Sequence, residues 1–240
     1  MRYLATISYD GSKFYGFKRL NNKNSVQREI ERVLTIINKS NIEIKGSGRT
    51  DRGVHAKGQK IHFDLDINIS PERLVNAVNS LLSDYIIFID CNIVSDDFHA
   101  RFMVKEKTYR YIINMGNFDP IRHDYIYNYG YDLDVKSMKK ASKYLIGKHS
   151  YKVFVSGNRD NYNSEIFDIS FIKTNDYLEI VFKGKSFYRY MIRNMVGALI
   201  LVGQGKISID DFANMVDSDE TKYTYITVPS NGLYLESVKY

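Results

Sequence analysis

Cysteine is almost absent. Cys91 stands alone in 240 residues, which excludes an internal disulfide and a cysteine-built zinc site. Three prolines leave no material for a Pro-rich linker, and no low-complexity tract interrupts the chain. No apolar run is long enough to cross a bilayer. The best candidate, residues 195–202, is bounded by Arg193-Asn194 on one side and Gly203 to Lys206 on the other. The first residues turn polar by Ser8-Tyr9-Asp10, too early for the apolar core of a signal peptide. A soluble, cytoplasmic protein without membrane contact is therefore expected.

What is present supports a folded domain or two. Hydrophobic residues make up 44% of the chain, enough for a proper core. Lys and Arg number 34 against 28 Asp and Glu, and the net charge of +6 is compatible with a polyanionic partner without requiring one. Tryptophan is missing, but there are 20 Tyr and 13 Phe. Such rings can stack on nucleobases, although most serve as core and sheet residues.

Periodicity orders the elements. Residues 3–9 read as a strand. Residues 25–39 read as a helix with Val26, Ile30, Val33, Leu34 and Ile37 on one face and Ser25 as N-cap. Ile42 and Ile44 open a short strand. Over 59–65, Ile61, Phe63 and Leu65 alternate strictly with Lys60, His62 and Asp64, which predicts a half-exposed strand. Ser70-Pro71 opens a second helix that turns Leu74, Val75, Val78, Leu81 and Leu82 inward, and 86–94 reads as a buried strand.

The second half begins with a strand at 107–113 and a helix over 135–145 ended by Gly147. Paired strands follow at 166–174 and 177–183. A long apolar helix spans 187–202, then a short one over 208–216 capped by Ser208, then a strand at 233–240. The order βαββαβ thus occurs twice. It predicts an α+β protein of two ferredoxin-like subdomains sharing a mainly antiparallel central sheet. The expected division is 1–104, carrying the loop around Asp51, and 105–240, carrying Tyr109 and Arg193.

Chemistry concentrates in three places. Gly46-Ser47-Gly48-Arg49-Thr50-Asp51-Arg52-Gly53-Val54-His55-Ala56 sets a carboxylate between two arginines in a glycine-rich loop. The ordinary meaning of such a loop is a tight hairpin with a solvated tip. Its length and its two arginines suit a nucleophile or base better, and its spacing is not that of a P-loop. Arg193 lies among Met191, Ile192, Met195 and Val196 on the apolar helix. There it needs an anion, either a structural partner in the core or a catalytic carboxylate such as Asp51. In Thr108-Tyr109-Arg110-Tyr111, the two tyrosines share one strand face. They either line the sheet or offer a ring to a base drawn from its helix. His55, His62, His99, His123 and His149 show no metal-ligand spacing, so no metal is expected.

These residues carry a resemblance. Gly48-Arg49-Thr50-Asp51, followed by Gly53-Val54-His55-Ala56 and Gly58-Gln59, resembles the signature of the tRNA pseudouridine synthase A (TruA) family. Tyr9-Asp10-Gly11 with Phe14 and Gly16, and Ser25-Val26-Gln27, resemble its opening motif and first helix. Phe98-His99-Ala100-Arg101-Phe102 with Tyr109-Arg110-Tyr111 resembles its middle motif. Residues 191–197 and 232–235 resemble its last two. The resemblance implies the pseudouridine synthase fold, a homodimer, and a basic cleft for the anticodon arm of tRNA. It further implies isomerisation of uridines at tRNA positions 38–40.

By the same resemblance Asp51 is the nucleophile and Arg49 helps displace the target base. Tyr109 stacks on that base, and Arg193 is the ion-pair partner of Asp51. The reaction needs no cofactor, because nothing is added to or removed from uridine overall. A carboxylate can attack C1′ or the ring, or remove a sugar proton, and the residues leave these open. Phe17, Lys18 and Arg52 stand where the family usually has Trp, Gln and Ala. Arg52 adds a charge beside Asp51 and Lys18 adds one in the opening motif, and both are expected to contact substrate. They leave room for another tRNA site, for ribosomal RNA, or for a non-catalytic RNA-binding protein on the same scaffold.

Overall fold

The computed structural model describes residues 1–218 and 224–240. The chain forms two compact units, Met1–Lys105 with Tyr234–Tyr240, and Glu106–Leu233. Both combine helices with largely antiparallel strands, which is the expected α+β class.

The first unit runs β1 (Arg2–Tyr9), α1 (Val26–Asn38), β2 (Lys45–Gly46), β3 (His55–Asp64), α2 (Pro71–Asn79) and β4 (Ile86–Val94). β1 pairs antiparallel with both β3 and β4, and β2 pairs antiparallel with β3. The last residues of the chain join this unit. β10 (Leu233–Lys239) pairs parallel with β3 through Tyr234 opposite His55 and Leu235 opposite Ala56. Tyr3, Ala5 and Ile7 of β1 and Val26, Ile30, Val33 and Leu34 of α1 are fully buried, as the helical and strand periods require.

Several expectations are corrected here. The strand at 59–65 begins earlier, at His55; its expected alternation holds at Lys60 and Asp64 but not at His62, which is buried. Gln59 and His62 are buried by what packs on them from outside the strand: Ser47 and Gly48 on Gln59, and Phe98, His99 and Ala100 on His62. Its polar residues are satisfied inside the fold: His62 Nδ1 accepts the Ala100 N–H at 3.0 Å, and Gln59 Nε2 donates to the Gly48 carbonyl at 3.1 Å. β4 is not a buried strand. Ile87, Ile89 and Ile93 are exposed while Ile86, Phe88 and Cys91 are buried, an alternation whose phase shifts at Ile89-Asp90, where a bulge breaks the register with β1. α2 stops at Asn79, whose side chain exchanges hydrogen bonds of 2.9 and 2.8 Å with the Phe88 backbone. Leu81 therefore lies past the helix and is exposed. Ser25 occupies the N-cap position of α1, but its hydroxyl makes no capping bond.

Burial pushes the His62 imidazole from its ordinary 6.5 down to about 4, with the positive charges of His99, Arg2 and Lys45 adding to the effect. A histidine held neutral in the fold binds its proton first in the unfolded chain. Its contribution to stability is therefore complete above pH 6.5 and is lost as pH falls towards 4. Urea unfolding across this range should show a declining midpoint. His62→Gln, which keeps an acceptor for Ala100, should flatten the decline; equal slopes in both proteins would contradict the assignment.

The second unit runs β5 (Glu106–Asn114), β6 (Tyr127–Asn128), α3 (Val135–Ser142), β7 (Gly147–Ser150), β8 (Asn163–Thr174), β9 (Tyr177–Gly184), α4 (Met191–Gly203) and α5 (Ile209–Ser218). β5, β9, β8 and β7 pair antiparallel in that order, and β6 adds a short parallel contact to β5. Gly147 does not end a helix. α3 closes at Ser142, a single 3-10 turn follows, and Gly147 opens β7. The apolar helix starts at Met191, not 187, because Tyr190 adopts a left-handed backbone (φ 63°) that no helix continues through. α5 begins as expected: Ser208 Oγ accepts the Asp211 N–H at 3.0 Å and donates to its carboxylate at 2.8 Å. No helix among the described residues is long and apolar enough to cross a membrane.

Candidate active site

The Asp51 loop connects β2 to β3 and is anchored along its length. The Ser47 N–H donates to the Lys60 carbonyl at 2.8 Å, and the Ser47 hydroxyl donates to Gln59 Oε1. Thr50 is buried, with its hydroxyl 2.8 Å from the Tyr9 hydroxyl, while the Thr50 carbonyl accepts the Phe17 N–H at 3.1 Å. The Val54 N–H returns to the Asp51 carbonyl at 3.2 Å, closing the turn. Asp51, half-buried, is thus the residue that follows a doubly anchored threonine and opens a closed turn. This is a preorganised position rather than a solvated tip.

The base of the loop is built from β1 and its following turn. Gly11 passes so close to the loop that a Cβ there would stand 2.0 Å from the Val54 carbonyl oxygen. Its N–H donates to His55 Nδ1 at 3.1 Å, and Asp10 Oδ1 lies 3.3 Å from the same nitrogen. Asp10 is held in turn by the Ser12 N–H at 2.9 Å and the Ser12 hydroxyl at 2.7 Å. The buried His55 ring stacks on Tyr234 of β10, with centroids 4.7 Å apart. His55 is therefore a support of the loop. Burial raises the Tyr9 phenol well above its ordinary value, so it serves as a neutral hydrogen-bonding post.

Residues 14–18 lie against the same loop and bring Phe17 and Lys18 to it. Phe17 is buried with its ring on Gly46, where a Cβ would come within 2.6 Å of the ring. The exchange of Trp for Phe at this position thus bears on packing under the loop. Lys18 is exposed, as are Arg49 and Arg52. The Arg52 guanidinium lies over the Tyr15 ring at 4.5 Å, and Lys23 lies over that ring at 4.8 Å. Four of the six predicted site residues, Lys18, Arg49, Asp51 and Arg52, therefore share this part of the first unit.

The other two, Tyr109 and Arg193, belong to the second unit. Tyr109 on β5 is buried and meets Phe187 edge-on, with centroids 5.3 Å apart. Tyr111 on the same face is the structural member of the pair: it is fully buried, and its hydroxyl donates to the Pro229 carbonyl at 2.7 Å. Arg193 sits in the first turn of α4. It and Leu201 are the two α4 residues that are not buried. Its Nε donates to the Val228 carbonyl at 2.7 Å, and its guanidinium carbon stands 4.9 Å from the Tyr190 ring centre. Next to it, Asn194 Nδ2 donates to the Phe154 carbonyl at 2.9 Å and its Oδ1 accepts the Thr227 hydroxyl at 2.6 Å. These bonds hold the start of α4 in place and orient Arg193.

Residue types and spacing missed the supports: Tyr9, His55, Gln59 and Asn194. Their signal was present only as polar residues inside apolar strands and an apolar helix, where each needs a partner.

A family model described as "tRNA pseudouridine synthase" matches residues 5–103 and 141–240. Proteins named tRNA pseudouridine synthase A are similar over essentially the whole chain. The one from Listeria monocytogenes is 43% identical, covering 100% of this chain and 99% of its own. That from Finegoldia magna is 40% identical, covering 98% of each. That from Bacillus subtilis is 38% identical, covering 100% of this chain and 99% of its own. The anchored Asp51 loop lies inside the first matched segment and Arg193 inside the second; the chain belongs to the tRNA pseudouridine synthase family, has the pseudouridine synthase fold, and is an isomerase.

Proposed function

We propose that this protein converts uridine to pseudouridine in the anticodon stem-loop of tRNA, at positions 38–40, with Asp51 as nucleophile. The observation that carries the reading is the anchoring of the Asp51 loop through Ser47, Thr50 and Val54, which gives one carboxylate a defined position. Family membership supplies the reaction, and the full-length likeness to tRNA pseudouridine synthase A proteins supplies the RNA class.

The chemistry balances without a cofactor. A carboxylate oxygen of Asp51 bonds to C1′ as the N1–C1′ bond breaks and its electron pair leaves with the uracil. The uracil turns, C5 attacks C1′, and the carboxylate departs. The C5 proton passes to water and N1 takes up a proton. In this scheme Arg193 is a second catalytic residue, the cation that its motif match supplies to the reaction. Tyr109 stacks on the base and restrains it while it turns. Arg49 fills the space the extruded nucleotide leaves, offsetting part of a cost of a few kcal/mol. Lys18 and Arg52 meet the RNA backbone, where exposed cations gain most from a polyanion. The protein would act as a homodimer in the cytoplasm.

Lys18 and Arg52, which depart from the family pattern, favour one second reading, a related enzyme acting at another tRNA site or on ribosomal RNA. C5-tritiated transcripts separate the two. Replacing the uridines at positions 38–40 with cytidine should abolish tritium release from tRNA. Undiminished release would move the target elsewhere, and release from ribosomal RNA fragments alone would establish the second reading.

A further inference from the structure

The segment between β4 and β5 holds a large aromatic out into water. Phe102 is 77% exposed, the most exposed aromatic ring among the described residues. It is nevertheless not loosely placed. Its inner face stacks on His99, with centroids 4.2 Å apart and the planes 26° from parallel. His99 in turn meets the buried His62 edge-on at 4.7 Å.

The backbone beneath is pinned at several points. The Phe98 N–H donates to the Ser95 carbonyl at 3.0 Å, the Arg101 N–H to His99 Nδ1 at 3.1 Å, and the Met103 N–H to the His99 carbonyl at 3.1 Å. The Ala100 N–H is taken by His62, and the Ala100 carbonyl accepts the Tyr240 hydroxyl at 2.8 Å. Phe98 packs edge-on against the Tyr240 ring at 4.9 Å, and its carbonyl accepts from Arg2 at 3.0 Å. A tightly ordered loop that ends in an exposed ring gains little hydrophobic burial from that ring. It does present a preorganised flat surface.

We infer that the outer face of Phe102 is a stacking site for an unpaired nucleobase of the RNA substrate, continuing the His62–His99–Phe102 series by one ring. The inference rests on the chain acting on RNA. Three observations favour a base over a phosphate or an apolar partner. The offered surface is a single flat ring with its other face already stacked. A cation, Arg101, is exposed beside it. Asp96 and Asp97 precede it on the same segment, where Arg2 donates to the Asp96 and Phe98 carbonyls, and would discourage a site built on phosphate alone. Stacking on a base is indifferent to that mixed charge.

The site is remote from the chemistry. β3 carries His55 beside the Asp51 loop at one end and His62 under this platform at the other. Seven residues of strand separate them by roughly 23 Å. The base held by Phe102 is therefore not the isomerised one. It would fix the tRNA at a second point and help select the RNA as a whole.

The test is a KM-against-rate split with full-length tRNA and full-length protein. Phe102→Ala should raise KM and the tRNA Kd about tenfold, leave the single-turnover rate at saturating tRNA unchanged, and leave the salt slope of binding unchanged. Phe102→Tyr should behave as wild type, which a merely apolar contact would not require. Arg101→Ala should instead lower the salt slope by about one. Because Phe102 is mostly in water, its loss should not alter thermal stability. Wild-type affinity in Phe102→Ala overturns the inference, as does a changed subunit assembly by sedimentation, which would make this face a contact with a second copy. If wild-type protein neither binds tRNA nor releases tritium, the functional reading falls with it.

Discussion

Asp51→Asn is expected to lower tritium release from C5-labelled tRNA by at least about a thousandfold while leaving tRNA affinity within a few fold. The two side chains have nearly the same shape, so the turn closed by Val54 and anchored at Thr50 should persist. What is lost is the proposed nucleophile. An amide cannot form and then release the bond to C1′ at a useful rate, and no cofactor takes part in the proposed scheme to replace it. Binding, by contrast, is proposed to be spread over exposed cations and rings, including Arg49, Arg52 and Lys18. A single-turnover assay paired with filter binding separates the two quantities. Equal release from Asp51→Asn and wild type would remove Asp51 from the chemistry and favour a non-catalytic RNA-binding role for this loop.

Gly11→Ala should do smaller but still large damage without touching any reacting group. The added methyl would overlap the Val54 carbonyl at 2.0 Å and its carbon at 2.4 Å, and both are backbone atoms that no rotamer change can move. To make room, Val54 and His55 must shift, and the Gly11 N–H to His55 bond must lengthen or break. Overpacking of this kind costs about 1–3 kcal/mol. A displacement of about 1 Å at the catalytic carboxylate lowers the rate by about a hundredfold. Urea unfolding should therefore show a lower midpoint, and the surviving folded protein should be slow at saturating tRNA. Wild-type values in both measurements would show that β1 and the loop are not rigidly coupled.

Local periodicity was a good guide wherever one face of an element decides its burial. α1 shows this well: Val26, Ile30, Val33 and Leu34 all face the core as their spacing requires. It failed where a distant segment decides. On β3 the alternation holds at Lys60 and Asp64, yet His62 is buried because Phe98, His99 and Ala100 pack on it. β4 looks buried from its apolar run, yet only one of its faces is covered. The start of α4 was misplaced because Tyr190 adopts a backbone conformation that nothing in its composition announces.

The site divides in the same way. Asp51, Arg49 and Arg193 stand out as charges in glycine-rich or apolar settings, and that setting is visible in the sequence. The supports are not, because they join distant residues: Tyr9 with Thr50, Gly11 with His55, Asn194 with Phe154 and Thr227. Each bond satisfies a polar group that the fold buries, so its necessity becomes apparent only once the burial is known.

Isomerisation of uridine in the tRNA anticodon stem-loop by a carboxylate on the loop after β2 is open to a direct test in cells. Pseudouridine mapping of total tRNA and ribosomal RNA tests it most directly, in cells lacking this protein and in the same cells given back wild-type or Asp51→Asn protein. The account predicts pseudouridine missing at tRNA positions 38–40, restored by wild type and not by Asp51→Asn. Restoration by Asp51→Asn, or a loss confined to ribosomal RNA, would contradict it.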